Sequence, residues 1–200
     1  KFLCITDHLW DENVSGATGW YEPQNYENIR QNLPLPQGEK TKFLFGCETE
    51  LSQENVLAIS KKKYDYFDFI SLPTTHFRIP GEATSQERAE YWINRLDYVL
   101  NQDLPFNKIG IAHLTSSSIG HKSDRMKSVV ETFTFISDEE LYRLFKIAAE
   151  KKVGIELNKG DMRDIFFNGY TSLIRPYKIA KDCRCKFYLG SDSHHPDDFN

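Results

Sequence analysis

Residues Phe187–Pro196 read FYLGSDSHHP. Three apolar residues and a glycine run directly into Ser191, Asp192, Ser193, His194 and His195. This is the profile of a buried parallel strand that releases a carboxylate and an imidazole at its C-terminal end. Side chains alternate along extended backbone, so Asp192 and His194 project to the same side. A polar loop after a core strand would read the same way in isolation. Recurrence is what separates the two readings.

Five further apolar runs are spaced along the chain: Phe2–Ile5, Lys42–Cys47, Tyr66–Leu72, Ile109–Ala112 and Val153–Leu157. They deliver, in order, Thr6-Asp7-His8, Glu48-Thr49-Glu50, Thr74-Thr75-His76, His113, and Glu156-Leu157-Asn158. The runs are continuous rather than alternating, as expected of strands covered on both faces. Helical patterns or long connections separate them, which predicts an α/β fold with a parallel sheet and right-handed crossovers.

Thr84 with Glu87 forms a capping box for a helix whose stripe is Ala89, Trp92, Ile93, Leu96, Val99 and Leu100. Ser137 with Glu140 caps a second one, with Leu141, Leu144, Phe145 and Ala148 on its apolar face. Asp124–Phe133 and Pro176–Cys183 are further helix candidates, and a helical piece is expected around Tyr26–Asn32. Gln53-Glu54-Asn55 reads as a turn to Val56–Ile59, a small hairpin on the second strand. Gly160–Tyr170 reads as irregular. Leu9–Lys40 is a long excursion with little periodicity, and loops of that length tend to be functional.

Two hundred residues suit one domain, large enough to bury about 70% of its unfolded surface. Fourteen Phe, ten Tyr and three Trp exclude a disordered chain. Lys+Arg 25 against Asp+Glu 29 leaves a net charge of -4, and no basic run exceeds Lys61-Lys62-Lys63. That argues against extended contact with a nucleic-acid backbone. No apolar run approaches the ~20 residues of a membrane span. The four cysteines, Cys4, Cys47, Cys183 and Cys185, read as reduced, mostly buried thiols of a cytoplasmic protein.

Four of the six histidines stand at strand ends. In barrel-like α/β folds that edge is where chemistry is assembled. His8, Glu48, His76, His113, Asp192 and His194 are therefore candidate metal ligands, a set that favours Zn²⁺, Mn²⁺ or Fe²⁺ over Mg²⁺ or Ca²⁺. Six ligands exceed the three that one catalytic metal commonly takes. A multinuclear site indicates metal-assisted hydrolysis, for which small phosphate esters are natural substrates.

These motifs resemble the polymerase and histidinol phosphatase (PHP) family. Thr6-Asp7-His8 is similar to its TDH motif, Gly46-Cys47-Glu48 to its G-x-E strand, and Gly190-Ser191-Asp192-Ser193-His194 to its closing G-S-D-x-H. His76 and His113 match its two single-histidine strand ends. The resemblance implies a distorted (β/α)7 TIM-like barrel, two to three divalent transition metals, and hydrolysis of a small phosphate ester. It implies that Glu48 bridges two metals, one completed by His76 and His113 and the other bound by Asp192. His8 and His194 would belong to a third. Glu48 and Asp192 would hold the metal-activated water that attacks phosphorus, and Arg163 would bind phosphate, with Arg78 a looser candidate.

Nothing here matches the family's opening H-x-H strand, so the expectation is six of seven strands in an N-terminally truncated domain. A non-catalytic PHP module with a docking role is the alternative. An amidohydrolase-type barrel is a third reading, without a strand-end lysine before Lys159 to support it. Substrate identity and oligomeric state are not legible.

Overall fold

A computed structural model of the chain describes residues 1–76, 82–120 and 124–199. Its strands are β1 (Phe2–Ile5), β2 (His8–Leu9), β3 (Lys42–Thr49), β4 (Phe69–Pro73), β5 (Ile109–Ala112), β6 (Gly154–Asn158) and β7 (Lys186–Gly190). Every pairing is parallel, in the order β1-β3-β4-β5-β6-β7, with β2 also paired to β3. Ile5 lies opposite Phe45 and His8 opposite Glu48, the same 40-residue offset. The amide of Glu48 bonds the carbonyl of Asp7 between them at 2.8 Å. β1 and β2 are thus one strand interrupted at Thr6-Asp7, and the sheet has six positions curled into part of a TIM-like barrel.

The helices are α1 (Tyr26–Ile29), α2 (Ser85–Leu100), α3 (Arg125–Thr134), α4 (Asp138–Glu150), α5 (Lys159–Phe166) and α6 (Arg175–Asp182). α2 carries the complete capping box, Thr84 bonding the Glu87 amide and Glu87 returning to Thr84. On α4 half of the expected box forms: Ser137 accepts from the Glu140 amide, while the Glu140 carboxylate is bound by Arg143. A charged guanidinium outcompetes a backbone amide for that carboxylate. α5 corrects the irregular reading of Gly160–Tyr170, since the Asn158 side chain accepts from the amides of Gly160 and Asp161 and caps a helix. The expected hairpin at Val56–Ile59 reduces to one antiparallel bridge, Leu51 to Leu57. The third strand starts later than read, because Lys61–Tyr66 winds into a 3-10 turn.

Alternation sorts the sheet into two faces. Cys47, Ile70, Leu72, Ile109, Ile111 and Ile155 point outward into one core with Trp92, Leu96, Leu144, Phe145 and Ala148. Each such Leu or Ile contributes roughly 1.5–3 kcal/mol by leaving water. Inside the curl, Tyr188 lies against Phe69 with ring centroids 4.9 Å apart. A Cβ on Gly110 would come within 2.5 Å of both rings, so glycine on β5 makes room for them. The same inward alternation carries Glu48 on β3 and Glu156 on β6 to the C-terminal rim. All four cysteines are free, with Cys47 and Cys185 buried. No helix among the described residues is long and apolar enough to cross a membrane.

Candidate metal centre

Glu48 is the hub of the rim. Its Oε1 lies 3.6 Å from His8 Nδ1 and its Oε2 lies 3.9 Å from His113 Nε2. His113 and His76 are stacked, centroids 4.7 Å apart. Two trios capable of holding a metal share this carboxylate: Glu48 with His76 and His113, and His8 with Glu48 and Glu50. Four of the six expected ligands therefore converge. Asp192 and His194 fall in neither trio.

His194 reaches the rim by another contact, its Nε2 standing 3.4 Å from His8 Nε2. Its Nδ1 lies 3.1 Å from the Asp192 carbonyl and 3.9 Å from the Asp192 carboxylate. Asp192 is exposed, in left-handed backbone at φ +52. Arg163 stands exposed on α5 and its side chain bonds none of the cluster; Arg78 lies outside the described residues. His195 pairs with Asp197 at 3.3 Å, away from the rim.

Glu50 is missing from the sequence-read ligand set. It is 2% exposed, and its Oε1 lies 3.1 Å from His76 Nδ1. A carboxylate there keeps the proton on Nδ1 and leaves Nε2 as a lone pair for a metal, the usual arrangement behind a ligating histidine. Burial works to lower the pKa of His76, but the Glu50 hydrogen bond and charge, with Glu48 and Asp192, carry it above its ordinary value. Glu50 follows Glu48 by two residues, one past the end of β3, so continued alternation was the available signal. Arg95 is a second such residue: its buried guanidinium donates to the carbonyls of Leu51, Ser52 and Thr74, tying down the loops that carry Glu50 and His76. Trp20 and Tyr21 belong to the long excursion. Trp20 packs edge-on against His8 with centroids 4.6 Å apart and remains 54% exposed, making an aromatic wall at the mouth. Tyr21 has its hydroxyl pKa raised, by burial first and then by Glu50.

The electrostatics of the cluster favour a bound cation. Burial, with Glu50, Glu156 and Asp192 outweighing the opposing pull of His76, pushes Glu48 up to about 8. Burial pushes Glu156 to about 7 against the hydrogen bond from the His113 amide. His113 falls to about 4, through burial first and then the neighbouring His76. His8 Nδ1 and Glu48 Oε1 face each other, both buried and both without a hydrogen-bond partner. With His194 Nδ1 donating to the Asp192 carbonyl, its Nε2 is an acceptor for His8 Nε2–H. A neutral His8 then turns its Nδ1 lone pair on the Glu48 carboxylate. A divalent cation removes that conflict, and the imidazole and carboxylate donors suit a transition metal.

No protein-family model matches the chain, and no curated protein matches it in sequence. Among solved structures it is similar to a histidinol phosphate phosphatase from Lactococcus lactis subsp. lactis Il1403, complexed with zinc, L-histidinol and phosphate. The TM-score is 0.58 at 20% identity, over 97% of this chain and 74% of that one. The likeness carries the α/β half-barrel fold.

Proposed function

We propose that the chain is a metal-dependent phosphoesterase of the polymerase and histidinol phosphatase type, built on a distorted (β/α)7 barrel and acting on a small phosphate monoester. The observation that carries the reading is Glu48, which turns one carboxylate oxygen toward His8 and the other toward His113. That is the disposition of a carboxylate shared by two metals. His76 and His113 would complete one position and Asp192, from the loop after β7, the other, while His8 and His194 would serve a third.

Bound divalent metals would supply a water acidified toward neutrality and neutralise the charge of a phosphoryl group. The chain's own residues hold and orient. Glu50 keeps the Nδ1 proton on His76, and Arg95 fixes the loops on which both residues sit. Trp20 screens the outer side of His8 from solvent. Arg163, on α5 just beyond β6, is the candidate phosphate-binding side chain. That it stands exposed and bonds none of the cluster favours a second reading, a metal-holding module without turnover.

One assay separates them. Metal-loaded protein is expected to hydrolyse p-nitrophenyl phosphate, with chelation and Glu48→Ala each lowering the rate on the order of 10²–10³-fold, the range for deleting one pre-organised electrostatic group. Metal-loaded protein without turnover would leave the module reading in place.

A further inference from the structure

Glu156 on β6 is 5% exposed and belongs to neither metal trio. Its Oε2 accepts the backbone N–H of His113 at 2.9 Å. The β5–β6 ladder pairs Gly110 with Gly154 and Ile111 with Ile155 and goes no further. By His113 the backbone has turned to φ +55, a left-handed conformation rare for a residue with a side chain. A side-chain carboxylate thus takes the amide that the ladder no longer serves. The other backbone group of the same residue is also held, since the His113 carbonyl accepts from Thr75 Oγ1 at 2.9 Å. This backbone turn is what sends the His113 ring back toward Glu48 and onto His76.

The opposite side of the carboxylate rests on Gly190, the last residue of β7. A Cβ at Gly190 would overlap Glu156 Oε1 and lie 2.6 Å from its Cδ. Gly190 pairs in register with Asn158 as ordinary strand, and its φ lies outside the left-handed range. What requires glycine there is the carboxylate beneath it.

We infer that Glu156 is the positioning residue for His113, locked between the His113 amide and Gly190, so that one buried carboxylate sets the orientation of a metal-binding imidazole at the rim. This rests on the metal-centre reading above and makes no demand on the substrate. An outer-shell contact of this kind is worth about 10–100-fold in metal affinity.

The test is Co²⁺ titration of the full chain, read by visible absorption, with the ¹H–¹⁵N resonance of His113 as a second measurement. Glu156→Ala should weaken Co²⁺ binding about 10–100-fold and move the His113 amide proton upfield. Glu156→Gln, which keeps a carbonyl oxygen for the amide, should restore most of both. Gly190→Ala should reproduce the defect of Glu156→Ala. The double variant should be no worse than either single, because the added methyl enters space the carboxylate has left. Wild-type Co²⁺ affinity and an unshifted His113 amide in folded Glu156→Ala, or additive losses in the double variant, would overturn the inference. Wild-type protein that binds Co²⁺ without hydrolysing phosphate esters counts against the phosphoesterase reading and leaves this comparison to be judged on the variants.

Discussion

His8 and His194 face each other Nε2 to Nε2 at 3.4 Å, although 186 positions separate them. Two nitrogens bound to one tetrahedral zinc at about 2.0–2.1 Å each stand about 3.3–3.4 Å apart, so the pair has the spacing of two ligands on one ion. His194→Ala is expected to remove about one metal equivalent per chain while leaving the position at Glu48, His76 and His113 filled. Elemental analysis after equilibration with Zn²⁺ measures this. Unchanged stoichiometry would mean that the two rings share only a proton.

Glu50 is expected to act through His76. Glu50→Ala frees His76 to take either tautomer, and metal affinity should fall about 10–100-fold. The imidazole pKa, now raised, should drop, because burial would no longer be outweighed by the adjacent carboxylate. Isothermal titration with Zn²⁺ and NMR titration of the His76 ring read the two effects. If affinity fell with the His76 pKa unmoved, Glu50 would be a ligand in its own right.

Metal-free protein should lose stability as pH rises from neutrality. Glu48 and Glu156 start from 4.5 and sit at about 8 and about 7 in the folded chain, so folding takes up protons across that window. Their contribution therefore declines as pH climbs from 4.5 through those values. His76, raised above 6.5, acts in the same direction. His113, lowered from 6.5 to about 4, opposes them only below its unfolded value, as does His8. Above pH 6.5 the trend is single-signed: Tm should fall toward pH 8.5, and saturating Zn²⁺ should reverse it with release of protons at pH 7. A flat apo-protein profile over that interval would contradict these shifts.

Trp92 fastens α2 to the strand-end layer. It is fully buried, its Nε1–H donates to the Leu114 carbonyl at 3.1 Å, and its ring meets Phe133 edge-on. Trp92→Ala should cost about 3–5 kcal/mol through lost apolar burial and the cavity left behind, with the orphaned carbonyl adding to it. Urea unfolding gives the number. A loss below ~1 kcal/mol would show that the site collapses around the smaller residue.

Much of the fold was legible because its signals are local. Six apolar runs announced six strand positions, and Thr84 with Glu87 marked the start of α2 within one residue. The misses have physical causes. α5 was passed over because Gly160 and Asp161 look like breakers, yet their amides are the donors that Asn158 caps. Glu50 and Glu156 were both visible as strand-end carboxylates, but nothing in the chain says that one faces an imidazole and the other a backbone amide. Trp20 and Tyr21 lie in an excursion without periodicity, so their place beside His8 and Glu50 had no sequence signature.

Strand, alternation and ligand type are written within a few residues of chain, since extended backbone sends every second side chain to the same face wherever it occurs. That much placed His8, Glu48, His76, His113, Asp192 and His194 at one edge. Which of them meet depends on how far the sheet curls and where the helices dock, which is set by packing among residues distant in sequence. Hence Glu48 divides its oxygens between His8 and His113, Glu50 joins the rim, and Asp192 stands back from it. The stretch FYLGSDSHHP supplied two candidate ligands by local rule, and the curl gave one of them, His194, its partner at the other end of the chain.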